Sequence, residues 1–198
     1  MTTDKFALGY MKHIYGPLFK ENFEKVTSVL EVGTAAGDSL LEWRVRFPNA
    51  TIYGVDVNAV TTKDPDTSRL VFIGNVNAYS TDTVERLREL NPGGYDVLID
   101  DGSHSAEHQQ FFVDNYLSLL SDTGTLIVED IIFPGVTSSL VDKIDTTQYN
   151  VEVYDMRNKQ LDAALNARWQ TGLDVLVVSK KPKVVTPVKQ TTKKVEGL

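Results

Sequence analysis

The chain has 198 residues, with 41% hydrophobic and 24% charged residues, which suits one globular domain with a proper core. Its formal net charge of −7 argues against nucleic-acid or anionic-membrane partners, and zero cysteines exclude disulfides, thiolate metal sites and cysteine nucleophiles. No apolar run approaches the ~20 residues that span a bilayer, and the start, "MTTDKFALGY", lacks the basic-then-apolar profile of a signal peptide, so a cytoplasmic protein is expected.

Residues 1–25 read as an N-terminal helical segment. Within it, His13 and Tyr15 either reach a ligand or simply pack on an amphipathic stretch. The domain proper is expected over 26–181. "VTSVLEVG" and "ATIYGVDV" are short, β-branched and bounded by turns, as strands are. Between them "DSLLEWRVRF" reads as a helix closed by Pro48. "LVFIG" is a third strand, and "STDTVERLRELN" a helix capped by Ser80 or Thr81. "YDVLID" is a strand, "AEHQQFFVDNYLSLL" a helix and "GTLIVEDI" a strand. Runs such as "VLEV", "VLID" and "TLIV" are apolar on both faces, which parallel strands buried under helices require. The alternation predicts a Rossmann-like, doubly wound α/β fold with a mostly parallel seven-stranded sheet. "YNVEVYDM" and "LDVLVVSK" are joined by about fifteen residues, too few for a comfortable parallel crossover, so an antiparallel C-terminal strand is expected. From Lys180 the chain turns basic and aperiodic, and 182–198 reads as a flexible basic tail.

The loop "VLEVGTAAGDS" follows a strand and opens a helix. Gly33 and Gly37 permit close backbone approach there, and the helix N-terminus offers free N–H groups. A dinucleotide fingerprint would need glycine where Ala35 and Asp38 stand. Glu31 beside the loop would repel a pyrophosphate but suits a cationic ligand, and S-adenosylmethionine carries an ammonium and a sulfonium. Asp56 ends the next strand about twenty residues on, where an acid accepts ribose hydroxyls. "FIGNVNA" then brings Gly74, Asn75 and Asn77 to a third strand end, placed for an adenine edge.

"DVLIDDGSHSAEH" concentrates acids and imidazoles after a buried strand. It contains the inverted zinc signature His-x-x-Glu-His, but His104 lies on a Gly-Ser turn before any established helix. His108 is expected on the solvent side of the following helix, with Glu107 an acid favoured by the helix dipole. Asp101 ends one strand and Glu129-Asp130 the next, so neighbouring strand ends bring three carboxylates into one crevice. Such acids repel unless a cation neutralises them, and hard oxygen donors select Mg²⁺ or another hard divalent cation. A metal lowers the pKa of a coordinated hydroxyl, and His104 stands three residues past Asp101 to take its proton. Asp100 is either a partner for His104, a contact for the cofactor amino group, or a metal ligand.

Taken together, these motifs resemble class I S-adenosylmethionine-dependent methyltransferases. The nearer resemblance is to metal-dependent O-methyltransferases of the macrolide-sugar type, the macrocin and mycinamicin enzymes, with cephalosporin hydroxylase in the same group. It rests on "EVGTAAGDSLLEWRVRFPNATIYGVDV", "YDVLIDDGSH", "LIVEDI" and the opening "TDKFALGYMKHIYGPLF", and it covers residues 2 to about 132. The resemblance implies S-adenosyl-L-methionine as cofactor, held by Glu31, Gly33, Ser39, Asp56, Asn75 and Val76, and the glycine-loop residues Thr34 and Gly37 with Asp100 complete the expected binding set. Within that set Ser39 meets the cofactor carboxylate, Asp56 the ribose, and Asn75 and Val76 the adenine. Asp101, Glu129 and Asp130 match the metal ligands and His104 the general base. The implied reaction is divalent-metal-assisted methylation of a hydroxyl on a sugar or polyhydroxylated small molecule. The alternatives are a metal-independent methyltransferase of the same fold and a non-catalytic adenosyl-binding regulatory module. Phe133, Pro134 and Gly135 are expected to wall the acceptor pocket, with Arg157, Arg168 and Trp169 nearby. The chain is short beside the macrolide-sugar enzymes, so a small acceptor, an open pocket or a site shared in a homo-oligomer would each follow.

Overall fold

A computed structural model describes residues 5–60, 62, 66–157, 159 and 173–182. The 182–198 tail beyond its first residue, and the segment holding Arg168 and Trp169, lie outside the described residues. A π-helical turn over Met11–Tyr15 runs into α1, Gly16–Phe19. Then come β1 (Ser28–Val32), α2 (Asp38–Arg46), β2 (Thr51–Val55), β3 (Leu70–Ile73), α3 (Thr81–Leu90) and β4 (Tyr95–Asp100). They are followed by α4 (Ala106–Tyr116), β5 (Leu120–Ile131), α5 (Val136–Val141), β6 (Tyr149–Asp155) and β7 (Asp174–Lys180).

The strands form one seven-stranded sheet in the order β3-β2-β1-β4-β5-β7-β6. β1 to β5 are mutually parallel, while β7 runs antiparallel to both β5 and β6. The expected antiparallel pair therefore closes the sheet, with the later strand inserted between β5 and β6.

Two-sided burial follows from the pleat. Leu30, Leu98, Leu126 and Val178 face one layer, where they meet Leu87 of α3, Phe112 and Tyr116 of α4 and Leu140 of α5. Val29, Val97, Ile99, Ile127 and Val177 face the other, against Leu40 and Trp43 of α2 and Ile14, Tyr15 and Phe19 of the N-terminal segment. Each such side chain contributes roughly 1.5–3 kcal/mol by leaving water. α2 buries Leu40 and Trp43 one turn apart, and Phe47 just past its end, while Val45 points to solvent. Ser80 caps α3 by accepting from the Thr83 N–H. Among the described residues no helix is long and apolar enough to cross a membrane.

Candidate active site

The carboxyl ends of the parallel strands β1 to β5 share one rim. Ala35, Asn75, His104 and Asp130 follow or end rim strands with positive φ, a conformation that costs a side chain about 1–2 kcal/mol. Gly33 also has φ 83°, and a Cβ there would come 2.1 Å from the Asp101 carbonyl oxygen. Only glycine lets β1 leave the sheet so close to the β4 turn.

A cavity of about 370 Å³ opens at this rim, with Gly33, Asp56, Asn77, Tyr79, Asp101 and His108 among its walls. Asp56 is fixed in its wall, its Oδ2 accepting from the Ala35 N–H at 3.0 Å and its Oδ1 from the Asn58 N–H at 2.8 Å. Beside it Tyr79 and His108 stack 4.0 Å apart and nearly parallel. Tyr79 donates to Asp100 Oδ1 at 2.6 Å, and His108 Nδ1 meets Ser103 Oγ at 2.6 Å. His108 thus faces the cavity rather than solvent. Its ring packs on an aromatic, which periodicity along α4 alone does not reveal. The Asp100 carboxyl is buried with Oδ2 unpartnered, and burial raises its pKa to about 7.

The structure spreads the predicted cofactor residues over two environments. Gly33 and Asp56 line the cavity. Glu31 is fully buried beneath it, accepting from Ser39 Oγ and from Trp43 Nε1 at 3.1 Å. Thr34 is buried with an unpartnered hydroxyl, and Gly37 forms the left-handed turn into α2. Asn75 and Val76 shape the β3 turn, their N–H groups bonding the carbonyls of Asn58 and Asp56, while Asn77 and Tyr79 supply the wall.

The acids converge, around a cation the sequence reading did not assign. Lys5 Nζ lies 2.6 Å from Asp101, 2.5 Å from Glu129 and 3.3 Å from Glu31. Tyr15 donates to the other oxygen of Glu129 at 2.5 Å, and Tyr10 donates to Asp130 Oδ1. Glu129 therefore has both oxygens engaged. Asp101, His104 and Asp130 each offer a ligand atom within 4.8 Å of one another, and His104 Nε2 lies 3.8 Å from Asp130 Oδ2. Burial alone would lower the Lys5 pKa, but Asp101, Glu129 and Glu31 outweigh it and hold it well above normal. One ammonium cannot satisfy three buried acids and the half-buried Asp101, so burial and mutual repulsion raise Glu129, Asp130 and Glu31. The two histidines of the His-x-x-Glu-His string turn to different partners, His104 to Asp130 and His108 to Ser103, which is not a zinc-peptidase arrangement.

Gln109 of α4 donates its amide to the Glu129 and Asp130 carbonyls at 3.0 and 3.3 Å. A second cavity, of about 520 Å³, begins one residue past Asp130, walled by Ile131, Phe133, Pro134, Gly135, Arg157 and Asp174 among others.

Residues 30–131, which carry most of this rim, match the methyltransferase domain family. The chain belongs to that family. A relative from Streptomyces olivaceus, 8-demethyl-8-(2-methoxy-alpha-L-rhamnosyl)-tetracenomycin-C 3'-O-methyltransferase, is 30% identical over 142 residues, covering 65% of this chain and 34% of the relative. Mycinamicin VI 2''-O-methyltransferase of Micromonospora griseorubida is 27% identical over 136 residues, 65% of this chain and 33% of that one. This methyltransferase-domain chain thus spans about a third of the length of the curated relatives it matches. In fold it is similar to the MycE methyltransferase of the mycinamycin biosynthetic pathway, solved in complex with Mg, SAH and mycinamycin VI, with TM-score 0.66 and 20% identity over 91% of this chain and 52% of that one.

Proposed function

We propose that the chain is an S-adenosylmethionine-dependent O-methyltransferase that methylates a hydroxyl of a sugar or polyhydroxylated small molecule with the help of a divalent ion. The observation that carries the reading is the convergence of Asp101, His104 and Asp130 at the rim of the cavity that Gly33 and Asp56 line. The relatives are named as sugar O-methyltransferases, which supports the acceptor class.

The cavity walls suit an adenosyl ligand. Asp56 is held by two backbone N–H groups with its carboxylate at the wall, an acceptor for ribose hydroxyls. The Tyr79–His108 pair offers an aromatic surface, and Asp100 Oδ2 and Thr34 Oγ1 are buried polar atoms with unused bonding capacity. When bound, S-adenosylmethionine supplies the methyl group on an electrophilic sulfonium. The carboxylates of Asp101 and Asp130 would supply the hard oxygen donors that Mg²⁺ or Mn²⁺ takes, with His104 beside them and free to act on a proton. When bound, such an ion supplies Lewis-acid polarisation of a hydroxyl. His104 Nε2, side chain about one-third exposed (31%), takes the hydroxyl proton. Phe133 and the walls of the second cavity shape the approach of the acceptor.

Metal-independent transfer is the second reading, favoured by Lys5, which already neutralises part of the acid cluster. Both are tested by incubating the protein with S-adenosylmethionine, Mg²⁺ and a panel of glycosylated and polyhydroxylated acceptors, and watching for one added methyl by mass spectrometry. Turnover abolished by chelation and restored by Mg²⁺ is the expected result. Turnover indifferent to chelation supports the metal-independent reading, and no methylated product from any acceptor, despite intact S-adenosylhomocysteine binding, defeats both.

A further inference from the structure

The proposed reaction gives Lys5 no part, yet it sits at the middle of the acids. Its side chain is 1% exposed, and burial of an ammonium is costly unless well-placed anions surround it. Glu31, Asp101 and Glu129 do so, and Trp43 places its ring 5.8 Å away. Asp101 is the shared element: its Oδ2 accepts from Lys5, while it also belongs to the group with His104 and Asp130. An ion held there by Asp101 and Asp130 would lie one carboxylate away from a fixed positive charge. Two cations at that separation oppose each other in a poorly screened site. At the same time, the ammonium holds Asp101 and Glu129 together when they would otherwise repel.

We propose that Lys5 is a positioning residue and the resident counter-cation of this site: it keeps Asp101 and Glu129 in place and weakens the hold of the incoming divalent ion. The inference rests on the metal-assisted reading. The N-terminal segment thereby sets the affinity of a site built on β4 and β5. With the ammonium present, the ion remains exchangeable. Without it, the same acids grip the ion more tightly, because no competing charge shares Asp101.

The test is Mn²⁺ binding, followed by electron paramagnetic resonance and calorimetry on the full chain, for wild type, Lys5→Arg and Lys5→Met. Lys5→Met is expected to bind Mn²⁺ at least tenfold more tightly than wild type, and Lys5→Arg to stay within threefold. Equal or weaker binding by folded Lys5→Met overturns the proposal, as does an equal gain in Lys5→Arg, which keeps the charge. Should Lys5→Met not fold, Lys5→Met/Glu129→Gln against Glu129→Gln makes the same comparison with one acid neutralised. A tenfold gain there supports the proposal and no gain overturns it. If wild type and every variant fail to bind Mn²⁺, the metal-assisted reading falls and takes this one with it. Binding that ignores Lys5 removes only the role given to the lysine.

Discussion

With φ at 51° and 57°, Asp130 and His104 stand in the left-handed region, where each side chain costs about 1–2 kcal/mol. Neither residue is glycine, although glycine would relieve the strain, so what the side chains do offsets the cost. His104 gives the sharpest separation of stability from activity. His104→Gly removes the strain and adds back about 0.5–1 kcal/mol of unfolded-state freedom, so stability is expected to stay level or rise by up to about 1 kcal/mol. Turnover is expected to fall by about 10²-fold or more, since a positioned base contributes that much. Urea unfolding and steady-state rates on the same preparation check both, and near-normal turnover ends the assignment of His104 as base. Gly33 behaves oppositely. Its absent side chain is what the β4 turn requires, and Gly33→Ala forces a Cβ against the Asp101 carbonyl oxygen at positive φ. Thermal denaturation should show a loss of about 1–3 kcal/mol, with S-adenosylhomocysteine binding weakened in step, because Asp101 and the cavity wall move together.

The pairing of β5 with β7 slips between Val128 and Ile131, which leaves Glu129 and Asp130 outside the regular ladder. A bulge of this kind re-aims side chains, and here it turns two consecutive acids toward Lys5, Tyr10 and Tyr15 on the N-terminal segment. The carbonyls freed by the slip are buried and need donors, and the Gln109 amide supplies them from α4. α4 therefore braces the acid turn as well as covering the sheet. Gln109→Met keeps the volume and removes the donor. The expected cost is about 1–3 kcal/mol for unsatisfied buried carbonyls, accompanied by a weaker Mn²⁺ response as Asp130 loses its fixed orientation. A variant with wild-type stability and unaltered Mn²⁺ affinity would show that the bulge holds itself.

Over the whole molecule, what was legible in the sequence is what short-range pattern encodes. Parallel strands announce themselves by runs apolar on both faces, and the rim acids by their position just after those runs, so the sheet and Asp56, Asp101, Glu129 and Asp130 could be placed. Lys5 could not be given its role, because its partners lie 96 and 124 residues away and nothing local marks a lysine destined for burial. Gln109 and the Tyr79–His108 stack are hidden for the same reason, as contacts made only when helix meets strand end. Glu31 is expected as a cofactor contact from its place near the end of β1, and the contacts that bury it against Trp43 and Lys5 are tertiary facts that no local pattern carries. The rim as a whole decides which adenosine-bearing ligand the chain accepts. A ligand held only by the folded state at 100 times its Kd adds about 2.7 kcal/mol, which in a chain of this size raises Tm by about 5–10 °C. S-adenosylhomocysteine is expected to give that shift, and NAD at the same concentration none, because Ala35 and Asp38 stand where a dinucleotide loop needs glycine. Asp56→Ala should remove most of the S-adenosylhomocysteine shift while leaving the apo-protein Tm within a few degrees, since among the described residues the lost carboxylate orders the Ala35 and Asn58 N–H groups. A larger shift from NAD than from S-adenosylhomocysteine would overturn the assignment of the cavity.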